Sequence, residues 1–390
     1  MRHMELGQII APAKPRRAGE KDFPVLSMTM RDGLVNQADK FKKRIASADT
    51  SQYKVVGKNQ LVVGFPIDEG VLAFQDLFDE AIVSPAYNIW NLQNDALIDT
   101  KYLEQFLRSP HALAFYKSKL RSTTARRRSL PNDVFLSLSV PVPPLAEQER
   151  IVQLLDDADE LRKLRAQADR RAADLIPALF HEMFGDQIAK KSGWPKRPLG
   201  ELTSRITKGE SPGWQGFEYT SEGPMFITSE NVLWGSLDVT EPKRIPPAFH
   251  KKLSRSIVRA NDILLNLVGA SIGRCCLVPS GLGEANINQA VAVVSLGEYI
   301  LPDFLANLLL SQDAQNYFHG GKVEGARANI SLSDVREYKT VVPPLPLQQE
   351  FARRVTEIRE LEASQATSRV HLEHLFQSML QRAFHPAHTV

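Results

Sequence analysis

Residues 142–164 read VPPLAEQERIVQLLDDADELRKL, and residues 342–364 read VPPLPLQQEFARRVTEIRELEAS. The two stretches align without a gap at an offset of 200 residues. Each opens on a proline pair, Pro143-Pro144 and Pro343-Pro344. Proline fixes φ and forces the preceding residue out of the α region, so a helix can start after such a pair but cannot run back through it. The residues after each pair are polar and rich in Glu and Gln, with Glu147 and Glu149 early enough to suit a helix N-terminus. Apolar residues then recur at three- and four-residue steps: Ile151, Leu155, Ala158, Leu161, Ala168, Ala172, Leu175 and Leu179 in the first copy, and Phe351, Val355, Ile358, Leu361, Leu372, Leu375 and Met379 in the second. This periodicity predicts two long amphipathic helices with a heptad-like seam that has a polar or small middle, where Arg165 matches Gln365 and Ala168 matches Ser368. At 1.5 Å per residue, 35–40 residues span roughly 50–60 Å. Pro177 is expected to kink or end the first helix and Gly185 to stop it.

A helix of that length needs a partner for its stripe, and the other copy is the natural one. The first helix delivers the chain to residues 187–342 and the second leaves from their end. Domain termini often lie close together, so the pair is expected to be antiparallel. The segments between the helices repeat as well. VVGKNQLVVG (55–64) parallels IVRANDILLN (257–266), and AIVSPAYNIWNL (81–92) parallels ANINQAVAVVSL (285–296). KYLEQFLRSPHALAFY (101–116) parallels DFLANLLLSQDAQNYF (303–318). Each copy reads as β-rich runs, a short helix, a Gly/Ser/Arg loop and a final strand into the Pro-Pro site. The expected fold is therefore α+β: two mixed α/β globules separated by two long helices in an antiparallel coiled coil, with a pseudo-twofold internal repeat. The boundaries fall at 1–142, 143–186, 187–342 and 343–390. The globules keep apolar positions and change polar ones, as two readers of two versions of one kind of target would.

The 390 residues allow more than one core. No window approaches the ~18 continuous apolar residues that would span a bilayer, and the first residues lack the apolar run of a signal peptide. The only cysteines, Cys275 and Cys276, are adjacent, which suits neither a mutual disulfide nor a zinc site. A reducing cytoplasm is the expected location. Net charge is +3, distributed as +5 over 1–142, −4 over 143–186, +2 over 187–342 and zero beyond. The basic excess lies in the globules and the acid on the first helix.

The candidate nucleic-acid contacts derive from that excess. YKSKLRSTTARRRSL carries Lys117, Lys119, Arg121, Arg126, Arg127 and Arg128. At the matching place the second globule has GGKVEGARANIS, with Lys322, Arg327 and Asn329. Arg and Asn pair bidentately with guanine and adenine edges, while Lys and hydroxyls suit phosphate. Lys208 in SRITKGESPGW and Lys251 and Lys252 in KRIPPAFHKKLSR are further candidates; a solvated surface is the bland alternative for each, and for KFKKR (40–44). No P-loop or Asn/Asp-Pro-Pro-aromatic element is present, so neither a motor nor an amino-methyltransferase site is expected. Asp303 with Glu337 and Lys339 imitates a nuclease pattern, but Asp303 is expected to start a helix and Glu337 to start the strand entering the second Pro-Pro site; HLEH (371–374) imitates a metal site but has no third ligand. No catalytic residue, metal or cofactor is expected.

The chain resembles the specificity subunits of type I restriction-modification enzymes over nearly its whole length. The motifs that carry the resemblance are VPPLAEQERI, VPPLPLQQEF, PLGELTSRITKGESP, MFITSENVLWGSL, NDILLNLVGASIGRCCLV, GARANISLSDV, FPVLSMTMRDGL and YKVVGKNQLVV. The resemblance implies two target-recognition domains, each reading half of a split site on double-stranded DNA. It implies helices that set the spacing and dock two methyltransferase subunits, restriction subunits that join the complex, and no catalysis by the chain itself. The rival readings are an enzyme in its own right, a coiled-coil scaffold that binds no DNA, and an orphan relative serving a fused restriction-methylation enzyme.

Overall fold

The structure is a computed structural model that describes residues 2–30, 32–40, 49–93, 96–120, 130–185, 188, 193–320 and 329–384. It divides into two compact units: Met1–Gln167 with Ala366–Val390, and Ala168–Gln365. Each unit holds a globule together with parts of both long helices.

In the first unit, strand Arg2–Glu5 pairs antiparallel with Ser139–Val142, so the globule's first and last strands lie side by side immediately before the Pro-Pro site. The central antiparallel sheet has four strands in the order Ile10–Pro12, Asn88–Leu92, Leu61–Val63, Leu72–Phe74. Helices Thr100–Leu107 and Pro110–Lys119 cover it. Asp99 caps the first by accepting from the Tyr102 N–H at 2.8 Å, and Ser109 caps the second, with Pro110 in its first turn where no N–H is missed. Trp90, Tyr102, Phe106 and Tyr116 are fully buried between these layers. Packing of large aromatics into one core supplies the main drive to fold.

The second unit repeats this plan. Lys196–Pro198 pairs with Lys339–Val341, and the four-stranded sheet runs Thr203–Lys208, Val291–Leu296, Ile263–Asn266, Cys275–Leu277. Helices Pro302–Leu310 and Gln312–Phe318 take the covering position. The strand and helix correspondences agree with the offsets read from the sequence. The units diverge in their additional strands. The first has two separate antiparallel pairs, the hairpin Leu26–Thr29 with Gly33–Asn36 and the non-consecutive Lys54–Gly57 with Glu80–Val83. The second has Thr220–Ile227 flanked by Lys243–Arg244 and, in parallel, Ala285–Ile287.

One device ties each long helix to its globule. Gln148, fully buried in the first turns of helix Leu145–Ala173, accepts from the Asp99 N–H (2.9 Å) and donates to the carbonyls of Leu97 (2.9 Å) and Pro143 (2.8 Å). Gln348, equally buried in helix Leu345–Phe384, accepts from the Leu301 N–H (2.8 Å) and donates to Tyr299 (3.2 Å) and Pro343 (2.8 Å). A primary amide is the side chain that can satisfy one donor and two acceptors at once without charge.

Within each unit the two helices run antiparallel. In the first, Arg162 pairs with Glu373 at 2.7 Å and lies over the Phe376 ring, while Ile151, Val152 and Leu155 share a core with Phe384. In the second, Phe180 and Phe184 pack on Phe351 with centroids 5.6 and 5.4 Å apart. Three details depart from the sequence reading. The apolar seam is not buried throughout: Leu161, Leu361 and Leu375 are 52%, 49% and 54% exposed, and Leu175 is exposed too. Burial concentrates where the helices meet the globule cores, whose large aromatics fill space that small and polar mid-helix residues leave open. The first helix breaks at Asp174, before Pro177 rather than at it. Pro177 has no N–H to donate to the carbonyl of Ala173, four residues back, so the break falls on the N-terminal side. Helical structure then resumes over Leu175–Phe180 and His181–Gly185. Lastly, Glu337 closes helix Leu332–Glu337 rather than opening the strand after it.

Candidate nucleic-acid interface

Of the sequence-predicted contacts in the first unit, Lys117 and Lys119 are exposed in the last turn of helix Pro110–Lys119. Arg121, Arg126, Arg127 and Arg128 lie outside the described residues, as do Lys322 and Arg327 in the second unit. Asn329 is exposed and forms a bridge with Val268, next to Ile330, whose N–H donates to the Leu267 carbonyl. The segment carrying Asn329 thus closes on the end of a central strand, Ile263–Asn266. Lys208 is exposed at the end of the edge strand Thr203–Lys208. Lys251 and Lys252 are exposed in helix Pro247–Lys252.

The structure groups other cations around aromatic rings. In the first unit the segment after the edge strand Ile10–Pro12 carries Lys14, Arg16, Arg17 and Lys21. The Arg16 guanidinium and the Lys21 ammonium lie over the Phe23 ring, 5.6 and 5.2 Å from its centroid. Arg16 also pairs with Glu80, and Arg17 donates to the Gln52 carbonyl. Lys54 donates to the Tyr87 carbonyl at 2.6 Å; partial burial, then the Arg17 charge, draw its pKa below the usual lysine value. In the second unit the corresponding segment runs on from Lys208. There Lys252 lies 5.6 Å over Phe217, and Lys243 lies 5.3 Å over Tyr219. Sequence reasoning passed over Lys14, Arg16, Arg17 and Lys21 because prolines break the run; the cluster PRR beside an edge strand was the available signal.

The features that imitate catalysis resolve into structure. Asp303 accepts from Arg359 at 2.7 Å, which fastens helix Pro302–Leu310 to the second long helix. Glu337 accepts from Ser333 in its own helix. In HLEH, Glu373 is engaged by Arg162. Among the described residues no group of three or more His, Cys, Asp or Glu could hold a metal ion. Cys275 and Cys276 are buried and free; burial pushes the Cys276 thiol up to about 12 and that of Cys275 well above the ordinary range, opposite to what a nucleophile needs. No described helix is long and apolar enough to cross a membrane.

No family model matches the chain. Comparison with curated proteins finds the type I restriction enzyme EcoBI specificity subunit of Escherichia coli, 28% identical over 325 residues, covering 73% of this chain and 66% of that protein. It also finds the putative MjaX specificity subunit of Methanocaldococcus jannaschii, 26% identical over 239 residues, covering 57% and 53%. The chain thus spans slightly less than two thirds and about half of these relatives. Among solved structures, one describing assembly and conformational transition of the type I R-M system aligns over 98% of this chain and 97% of that one, with a TM-score of 0.65 at 19% identity. The crystal structure of the HsdS subunit from Thermoanaerobacter tengcongensis aligns over 98% and 96%, with a TM-score of 0.52 at 19% identity. The chain has the mixed α/β fold of these structures, and the resemblance to type I specificity subunits holds across sequence and fold.

Proposed function

We propose that this chain, similar in sequence and fold to type I restriction enzyme specificity subunits, is the non-catalytic DNA-reading subunit of a cytoplasmic type I restriction-modification complex. Residues 1–142 and 187–342 are two target-recognition domains, each reading one half of a bipartite site on double-stranded DNA. Residues 143–186 and 343–390 are spacer helices that pair antiparallel as a coiled coil and dock two methyltransferase subunits, which restriction subunits then join.

The observation that carries this reading is selective duplication. Both units have the same sheet order and the same buried glutamine clamp, yet their loops differ in charge and length. A duplicated scaffold with divergent loops suits two different half-sites. Conversely, exposed Leu161 and Leu175 recur 200 residues on as exposed Leu361 and Leu375. Exposed leucines kept at matched positions in both copies suit one kind of protein partner bound twice. In the first domain the proposed DNA contacts are Lys117, Lys119, Arg121, Arg126, Arg127 and Arg128. In the second they are Lys208, Lys251, Lys252, Lys322, Arg327 and Asn329.

The test is methylation mapping of DNA from cells that express the chain with its methyltransferase subunit. The expected product is a split motif with a fixed spacer. Insertion of four residues, about one helical turn, into one long helix is expected to change that spacer. A contiguous motif, no methylation, or an unaltered spacer after insertion would refute the reading.

A further inference from the structure

Trp214 is the most exposed large hydrophobic residue among those described, at 73%. Its surroundings hold it there rather than leave it loose. It sits in the turn Pro212–Gln215, whose Pro212 is buried. The turn closes through the Phe217 N–H donating to the Pro212 carbonyl (3.0 Å) and through Gly216 at φ +76°. Gln215 donates to Glu210 at 2.5 Å, and Glu210 is paired with Arg255 from the neighbouring helical segment. Gly209 anchors the loop's entry: a Cβ there would lie 1.6 Å from the Ile287 carbonyl oxygen, so no other residue permits this approach. At the loop's exit, Phe217 packs on Phe249 with centroids 5.1 Å apart. A rigid turn thus presents one indole to solvent.

The charge beside it is cationic. Lys208 precedes the loop, and Lys243 and Lys252 reach over Tyr219 and Phe217. With Lys251 they outnumber the exposed carboxylates in and beside the loop, Glu218, Glu222 and Glu241, since Glu210 is already paired with Arg255. At the equivalent place in the first unit, the segment after the edge strand carries Arg16 and Lys21 over Phe23. Both units therefore build a cation-over-aromatic loop at one position, with different residues in it.

Building on the function proposed above, we infer that the loop Gly209–Tyr219 is a DNA-reading element of the second unit. In it Trp214 enters the groove of the half-site as an apolar contact to the bases, and Lys243, Lys251 and Lys252 hold the flanking phosphates. A preorganised aromatic loses little conformational freedom on binding, and lysines beside it supply the counterion-release attraction that draws a duplex in.

The experiment compares the complete complex with methyltransferase, wild type against Trp214→Ala and Trp214→Phe, in salt titrations on DNA carrying the mapped site. Trp214→Ala is expected to weaken specific binding about 30-fold, the scale of a buried aromatic anchor, with the salt slope unchanged because no charge is lost. Trp214→Phe is expected to recover most of that loss. Lys243→Ala and Lys252→Ala are each expected to lower the salt slope by about one. Unchanged DNA affinity in Trp214→Ala overturns this inference alone while the wild type still binds its split site. So does a loss of methyltransferase subunit from the Trp214→Ala complex with normal DNA affinity, which would assign the indole to a protein contact. A wild-type complex without site-specific binding would overturn the broader reading and this one with it.

Discussion

Replacing Gln148 with Leu tests whether the duplicated clamp holds each long helix to its globule. The side chains are close in volume, so the substitution removes polarity rather than space. Three hydrogen bonds are lost, to the Asp99 N–H and to the carbonyls of Leu97 and Pro143. At about 0.5–1.5 kcal/mol net each, these sum to about 3 kcal/mol. The Pro143 bond is buried, and stranding that carbonyl adds about 1–3 kcal/mol. The apolar Leu offsets about 1.5–2 kcal/mol by its own burial. The net loss is about 3 kcal/mol. For a unit of this size that lowers Tm by about 6–12 °C, readable by calorimetry. Gln348→Leu is expected to act alike in the second unit. Gln148→Glu adds a sign to the test. A carboxylate in this dry, donor-poor site is expected to have a folded pKa above its unfolded value of about 4.3. The variant is therefore expected to be most stable below that value and to lose stability as pH rises through the folded pKa. Tm changes below 2 °C for both Leu variants, or no pH dependence in the Glu variant relative to wild type, would refute the clamp.

Asp262 accepts from Arg205 (2.8 Å), Ser295 Oγ (2.5 Å) and the Arg259 N–H (2.8 Å) in a site where it is almost fully buried; Asp262→Ala removes the carboxylate partner of Arg205, which keeps its bonds to Ser295 Oγ and the Arg255 carbonyl, and is expected to cost about 3 kcal/mol in urea unfolding, a loss below 1 kcal/mol being the contrary result. Arg126→Ala, Arg127→Ala and Arg128→Ala together are expected to weaken DNA binding and reduce its salt slope by up to about three; an unchanged slope would remove that loop from the interface. Hydrogen bonds from Arg353 and then Arg354 pull the Glu350 carboxyl down to about 2. Its contribution is present above the ordinary value of 4.5 and is lost as pH falls from there towards 2, so Glu350→Gln is expected to flatten that part of the Tm–pH curve; identical acid limbs would contradict this.

The scaffold was legible because its rules are local and were written twice. Pro143-Pro144 and Pro343-Pro344 mark helix starts by backbone sterics alone, and the helices begin at Leu145 and Leu345 as expected. Paired runs such as Leu61–Val63 and Ile263–Asn266 kept their apolar character because both are central strands in the same sheet order. The exposure of the seam leucines was not legible, for a non-local reason. Periodicity reports that Leu161 and Leu361 lie on one face, not whether a neighbour is large enough to cover them. The clamps at Gln148 and Gln348 were visible only as one more matched polar pair, since two of the three partners of each lie 47–51 residues away. In the candidate interface, runs of adjacent cations were easy to see. Lys243 over Tyr219 and Arg16 over Phe23 were not, because strand pairing and loop return bring those groups together.

The thinly packed mid-helix regions reflect what such helices must do. Isolated helices depend on propensity and side-chain pairs, and these supply both here. The second long helix carries Arg353–Glu357 at i,i+4 and Arg354–Glu350, and the first carries Lys163–Asp159 and Arg150–Glu147. Exposed pairs of this kind are screened by solvent and individually weak, so they favour helicity without fixing one tight packing. The firm packing lies near the helix starts, where Ile151 and Leu155 join the core of the first unit and Phe351 and Val355 that of the second. Leu161 and Leu361 stay open while the helix starts are held in the globule cores, so apolar surface remains uncovered on both helices.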